Sequence, residues 1–214
     1  MNYANIAKAL DFYQERGYVY VEDAAWVVDK PAYYLTKPEG AQADIIRARE
    51  DGTGESYLVA SGEQSFIQMM MEGQPIKRAI CVTPCFRVDK YDALRRPYFL
   101  KAELINAQDV DEGHLIHMIH DACSFFEQFF SVRVVKTDIG YDIVEKGTRI
   151  ELGSYGIRDL WYGTDKNGKF FVGPADVTIY KYDGLKRLQW IYGTACAEPR
   201  LSTAIARHSK LVGK

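Results

Sequence analysis

The chain has 214 residues, 47% of them hydrophobic and 26% charged, the balance of a soluble globular domain large enough to bury a core without staples. Its formal net charge of −2 gives no long-range field to gather a polyanion, so any nucleic-acid contact would need a local basic patch. Neither a basic-then-apolar leader nor an apolar run of about 18 residues is present, so no membrane association and a cytoplasmic location are expected, with Cys81, Cys85, Cys123 and Cys196 as reduced thiols lacking CxxC spacing.

Ile6, Ala7, Leu10 and Tyr13 fall at helical spacing within residues 3–16, and Gly17 stops the pattern as a C-terminal cap would. The Val-, Tyr- and Trp-rich run 18–28 predicts a strand. Pro31, Pro38 and the turn 51–54 punctuate a connection with a short helical stretch near 41–49. A short strand over 56–60 leads into a helix over 64–72, ended by Gly73. Runs 79–88 and 98–105 predict a hairpin whose long loop is the charged segment 89–96. A helix is expected over 111–130, strands over 132–141, 148–155, 169–180 and 186–193, and a last helix over 199–211. Helices at both ends and in the middle, with hairpin-connected strands between, predict an α+β fold: a mostly antiparallel sheet flanked by helices, in a single domain over 1–214.

Three segments carry chemistry. Residues 85–103, Cys-Phe-Arg-Val-Asp-Lys-Tyr-Asp-Ala-Leu-Arg-Arg-Pro-Tyr-Phe-Leu-Lys-Ala-Glu, put Arg87, Arg95, Phe99 and Glu103 on two adjacent strands and their loop. Guanidinium groups stabilise phosphoryl oxygens in bidentate fashion, although a solvated basic hairpin has the same composition. Residues 193–201, Gly-Thr-Ala-Cys-Ala-Glu-Pro-Arg-Leu, run as small residues into a helix. Such residues let a nucleotide approach the backbone, and a helix N-terminus favours its charge. Ile150-Glu-Leu-Gly-Ser-Tyr-Gly-Ile-Arg-Asp sets Glu151 seven residues before Arg158, and a hard carboxylate oxygen suits magnesium.

In chain order these segments resemble the catalytic core of class II aminoacyl-tRNA synthetases. Segment 85–103 resembles the second signature motif, which implies that Arg87 binds the ATP α-phosphate, Arg95 reaches the outer phosphates, Phe99 stacks on adenine, and Asp89 is the motif's acidic member. Segment 193–201 resembles the third motif, Gly-x-Gly-x-Gly-x-Glu-Arg-Leu, with Arg200 as the arginine that holds the γ-phosphate. Here Ala195 and Ala197 replace glycines and Pro199 replaces the glutamate, a role left unfilled unless Glu198 supplies it. Segment 150–159 is similar to that of aspartyl- and asparaginyl-tRNA synthetases and ammonia-dependent asparagine synthetase. That likeness implies magnesium at Glu151 and a substrate side-chain carboxylate or carboxamide at Arg158, with aspartate the first candidate.

Ser61-Gly-Glu63 falls where the family places a loop for the substrate's α-amino group, with Glu103 as a second carboxylate and Lys101 and Ser154 on the same substrate side. Residues 6–28 resemble the first motif, which implies a homodimer, and Phe125, Phe126, Phe129 and Phe130 are expected to add an apolar helix surface to it. The implied activity is activation of an amino-acid carboxylate through an aminoacyl-adenylate, with ATP and magnesium, and transfer to tRNA or another acceptor such as ammonia, a protein or a small amine. The altered third motif keeps a second reading open: a non-catalytic paralogue that binds nucleotide, amino acid or tRNA as a regulator or subunit. His114, His117 and His120 on the 111–130 helix are expected at a surface rather than around a metal, because successive +3 steps drift around a helix.

Overall fold

The computed structural model describes residues 1–36, 46–51, 54–88, 91–164, 170–174 and 184–213. Helix α1 (Tyr3–Gln14) starts at Asn2, whose side chain accepts from the Ala4 N–H. Gly17, at φ 82, then reverses the chain in the left-handed region where the missing Cβ removes the steric cost. The run 18–28 does not form one strand. Glu22 and Asp23 turn the chain, leaving β1 (Val19–Val21) and β2 (Val27–Asp29) in different sheets.

Pro31 begins an element instead of merely breaking one: it occupies the first turn of α2 (Lys30–Leu35), where its absent N–H is no loss. Of the helix expected near 41–49, residues 47–49 belong to a strand instead. Residues 41–45 lie outside the described ones, and β3 (Arg47–Asp51) pairs with β4 (Gly54–Leu58). Helix α3 (Gly62–Met71) is capped by the Ser61 hydroxyl, which accepts from the Glu63 N–H.

The hairpin forms as expected from β5 (Arg78–Phe86) and β6 (Tyr98–Asn106). Asp111 caps α4 (Glu112–Phe126) through the His114 N–H. The run 132–141 folds back on itself as β7 (Val132–Thr137) and β8 (Gly140–Glu145). Then follow β9 (Glu151–Thr164), β10 (Phe170–Pro174), β11 (Lys186–Glu198) and α5 (Arg200–Val212). The remainder of the expected 169–180 strand lies outside the described residues.

Among the described residues, eight strands make one sheet in the order β1-β5-β6-β11-β9-β8-β7, with β10 also on β9. Among the described residues only β1 and β5 run parallel, and β2, β4 and β3 form a separate small sheet. The fold is therefore α+β with a mostly antiparallel sheet. One face of the large sheet takes α1, α4 and α5, where Ile6, Tyr13, Phe125 and Leu201 meet Leu104, Leu152 and Ile191. The other face takes α2, α3 and the small sheet, where Tyr33, Tyr57 and Phe66 meet Cys81, Ile105, Trp190 and Tyr192. Phe125, Phe126 and Phe130 are buried in the first of these cores. They do not form the exposed apolar surface expected of them, because the helix turns its aromatic stripe toward the sheet. Among the described residues no helix is long and apolar enough to cross a membrane.

The central strand approaches its covering helix closely at Gly193. A Cβ there would stand 2.5 Å from the Tyr155 ring and 2.7 Å from the Met118 sulfur, both on buried side chains. The Gly193→Ala variant is expected to lose about 1–3 kcal/mol of stability, read as a lower urea midpoint at unchanged slope. An unmoved midpoint would mean that Tyr155 and Met118 yield without cost.

Candidate active site

Alternation along β6 sends Phe99, Lys101 and Glu103 to one face of the sheet, the face covered by α3. On β11 the register opposes Thr194 to Glu103 and Ala197 to Lys101, with a bulge between Thr194 and Cys196. The bulge resets the alternation. Ala195 and Cys196 therefore pack in the core under the helices, while Thr194 and Ala197 line an open cleft. This corrects the sequence expectation at the third motif. Gly193 and Ala195 leave room for helix packing rather than for a nucleotide, and among the small residues of that run Ala197 is the alanine that faces the cleft.

Residues far apart in the chain meet in this cleft: Arg87, Arg95, Arg96, Phe99 and Lys101 from the hairpin, Glu151 and Ser154 from β9, and Glu198 and Arg200 from the junction of β11 with α5. Arg87 is fixed from two sides, its Nε donating to the Ala60 carbonyl at 2.9 Å and its guanidinium lying 5.1 Å from the Phe99 ring centroid. Arg200 Nη1 donates to Glu151 Oε1 at 2.8 Å. Arg95 reaches outward, 3.8 Å from Asp92 and 60% exposed. Arg96, not singled out by the motif pattern, lines the cleft with an Nε that has no partner among the described residues. Asp89 lies outside the described residues. The lining cations are Arg87, Arg95, Arg96, Lys101 and Arg200, against the carboxylates Glu151 and Glu198. A local basic site thus stands in a weakly acidic chain.

Past Lys101 the polar groups are buried and paired. Glu103 Oε2 takes Lys101 Nζ at 2.7 Å and the Ser61 hydroxyl. Burial pushes the Glu103 carboxyl above its ordinary range, and the Lys101 ammonium opposes that shift. Glu63 Oε1 accepts from Arg158 Nε at 2.9 Å and from the Trp190 indole at 2.7 Å. The Arg158 guanidinium lies 4.8 Å from the Tyr192 ring centroid. Two adjoining networks thus gather the predicted residues, Ser61 with Lys101 and Glu103, and Glu63 with Arg158.

Glu198 is fully buried, with Oε1 accepting from Asn5 at 2.7 Å and from Ser202 at 3.0 Å and with Oε2 unpartnered among the described residues. Beside Glu151 stands Asp142, whose carboxyl is pushed up first by burial and then by the Glu151 charge. Asp142 sits opposite Ser154 across the β8–β9 ladder, a position not evident while 132–141 reads as one strand. One or two carboxylates completed by phosphate oxygens are what magnesium ordinarily takes, so Glu151 with Asp142 fits that ion. His114 and His117 engage separate partners, Asp111 at 2.9 Å and Asp121 at 3.7 Å.

The loop ahead of Glu151 is held by Glu145. Its buried carboxylate accepts from the Gly147 N–H at 2.9 Å, from the Thr148 N–H and hydroxyl, and from His208 Nδ1 of α5 at 2.9 Å. Burial pushes the Glu145 carboxyl up, but the hydrogen bonds from Thr148, Gly147 and His208 outweigh it and hold the group below 4.5. A depressed folded value means that the contribution is complete above 4.5 and is lost as the pH falls through the lower folded value. The stability gap between wild type and Glu145→Gln is thus expected to be full at neutral pH and to shrink on acidification below 4.5. Urea unfolding across a pH series measures it, and a gap that widened in acid would refute the assignment.

The family model for the class II core domain of tRNA synthetases (F) matches residues 6–156. A pyrrolysyl-tRNA synthetase from Desulfitobacterium hafniense is similar at TM-score 0.61 and 14% identity, over 96% of this chain and 69% of that one. A second structure of that organism's pyrrolysyl enzyme gives TM-score 0.62 and 16% identity, over 96% and 66%. The cytoplasmic serine-tRNA ligase of Naegleria fowleri, in complex with AMP, gives 0.60 and 16%, over 94% and 47%. The chain thus spans from about half to about two thirds of the length of these structures, and at such identities the likeness is one of fold. These are pyrrolysyl and seryl enzymes, so the aspartyl-type likeness of the Glu151–Arg158 segment gains no support from them. No curated protein matches the sequence.

Proposed function

The chain belongs to the class II tRNA synthetase core-domain family, and on that footing we propose that it activates an amino-acid carboxylate with ATP. One observation carries the reading: Arg87, Phe99, Glu151 and Arg200, from three distant segments, line one cleft. A carboxylate oxygen of the substrate bonds to the α-phosphorus while the bond to the β-phosphate oxygen breaks, giving aminoacyl-adenylate and pyrophosphate. The step needs no general base, because the carboxylate is ionised at neutral pH. What remains for the protein is positioning and neutralisation of phosphoryl charge.

In this reading Phe99 stacks on adenine, Arg87 holds the α-phosphate, and Arg95 and Arg200 hold the outer phosphates, Arg200 exchanging its Glu151 partner for phosphate. Asp89 is assigned to the same nucleotide site by the motif alone. Glu151, with Asp142 beside it, would hold magnesium, which when bound adds further neutralisation of the phosphates. The substrate's α-ammonium is assigned to the Ser61–Glu63 loop, with Glu103, which the Lys101 ammonium already holds at 2.7 Å, as a second carboxylate. Ser154 and Arg158 complete that end of the site. The acceptor is assigned as tRNA or another amine or hydroxyl, in the cytosol.

Incubation with ATP, labelled pyrophosphate and single amino acids is expected to regenerate labelled ATP with at least one of them. The Arg87→Ala and Arg200→Ala variants should lower that exchange by about 10²–10³ with unfolding unchanged. Exchange by none of the amino acids would instead favour a nucleotide-binding regulator.

We assign a homodimer to the outer side of α1, β1 and α4, where Tyr3, Val19 and Ile116 are exposed. Light scattering at micromolar concentration should return twice the 24.4 kDa of one chain, and a mass of one chain would count against it.

A further inference from the structure

Resting on the adenylation reading, the packing beyond the cleft restricts what the amino acid carries. Same-face residues on a strand lie about 7 Å apart, so the sheet presents successive rows running away from the nucleotide end. Thr194 and Glu103 share one row, and Tyr192, Ile105 and Gly156 form the next. Trp190 and Arg158 form the one after that. The cleft is lined by Lys101, Ser154 and Thr194, and by no residue of the two later rows.

Gly156 leaves a gap in its row, and Tyr192 fills it. A Cβ at position 156 would stand 2.7 Å from the Tyr192 hydroxyl oxygen. Tyr192 is only 7% exposed and Trp190 behind it not at all. Trp190 is held by its indole bond to Glu63, and Arg158, stacked on Tyr192, is held by the same carboxylate. From above, α3 presses equally close: a Cβ on Gly62 would stand 2.8 Å from the Cys81 sulfur and 3.0 Å from Glu103 Cβ.

We propose that the amino-acid subsite accepts only a hydrogen, methyl or hydroxymethyl side chain, because the row behind its Ser154 and Thr194 lining is closed by Tyr192. A larger side chain has to displace Tyr192 and with it the buried Arg158–Glu63–Trp190 network. An acidic side chain gains nothing there, because the Arg158 charge is already matched by Glu63 and a second carboxylate would stand unpaired. Aspartate, first among the substrates expected from the sequence, is thereby disfavoured.

The test uses non-hydrolysable aminoacyl-sulfamoyl adenosines, which mimic the adenylate, titrated calorimetrically into the full chain. The glycyl, alanyl and seryl compounds should bind with similar affinity, and the leucyl and aspartyl compounds at least about tenfold more weakly. In Tyr192→Ala the penalty on the leucyl compound should disappear, while Tyr192→Phe should keep it. The wild-type series decides even if Tyr192→Ala does not fold. Leucyl or aspartyl binding equal to glycyl overturns the small-side-chain assignment alone. Failure of all five compounds to bind overturns the adenylation reading as well.

Discussion

Everything about this molecule depends on β11 having two faces with incompatible duties. The strand lies between β6 and β9 at the centre of the large sheet, so each of its residues points either into the core under α1 and α4 or toward the α3 side. Trp190, Tyr192 and Thr194 face the second side, whereas Ile191, Gly193 and Ala195 face the first. The bulge after Thr194 is what lets the strand end with Ala197 at the cleft and deliver Arg200 at the start of α5. Without that shift, Cys196 would occupy the cleft face, and a residue that now packs beneath the helices would be lost from the core.

Charge follows the same division. The mouth of the cleft gathers cations from the hairpin loop, from β6 and from α5, in a chain whose net charge is −2, so the polyanion-attracting character absent from the whole is concentrated at one place. Deeper in, two buried carboxylates have opposite partners: Glu103 with Lys101, and Glu63 with Arg158. Burying an ion without a partner is costly, and that cost accounts for the closed pairs at Glu103 and Glu63.

The hairpin was legible in the sequence because its alternation spans two runs flanking one charged loop, and Arg87, Phe99, Lys101 and Glu103 fall where that alternation puts them. Helices α1 and α4 were legible through apolar spacing and capping residues. Other features depend on contacts no local pattern encodes. Arg158 meets Glu63 across 95 positions, so its partner cannot be read from the segment that contains it. The bulge in β11 leaves no mark on a run of small residues, so Gly193 and Ala195 looked like cleft glycine positions. Asp142 was hidden by a reversal at Gly140, whose φ of 151 no composition reveals. The four phenylalanines after Cys123 suggest a sticky surface only while the direction of their helix stripe is unknown.

The clasp between Glu145 and His208 ties the far end of α5 to the start of the β8–β9 loop, while Arg200 ties the near end of the same helix to Glu151 just after that loop. His208 lies eight positions beyond Arg200 on the helix, which amounts to about 12 Å of axial rise. The loop between Glu145 and Glu151 therefore has a fixed length to match. Exposed connections ordinarily absorb insertions at little cost, but here one added or deleted residue would slide one fastening past the other and misplace a charged group inside the cleft. Among natural variants of this chain, this connection should keep its length even where its residues change.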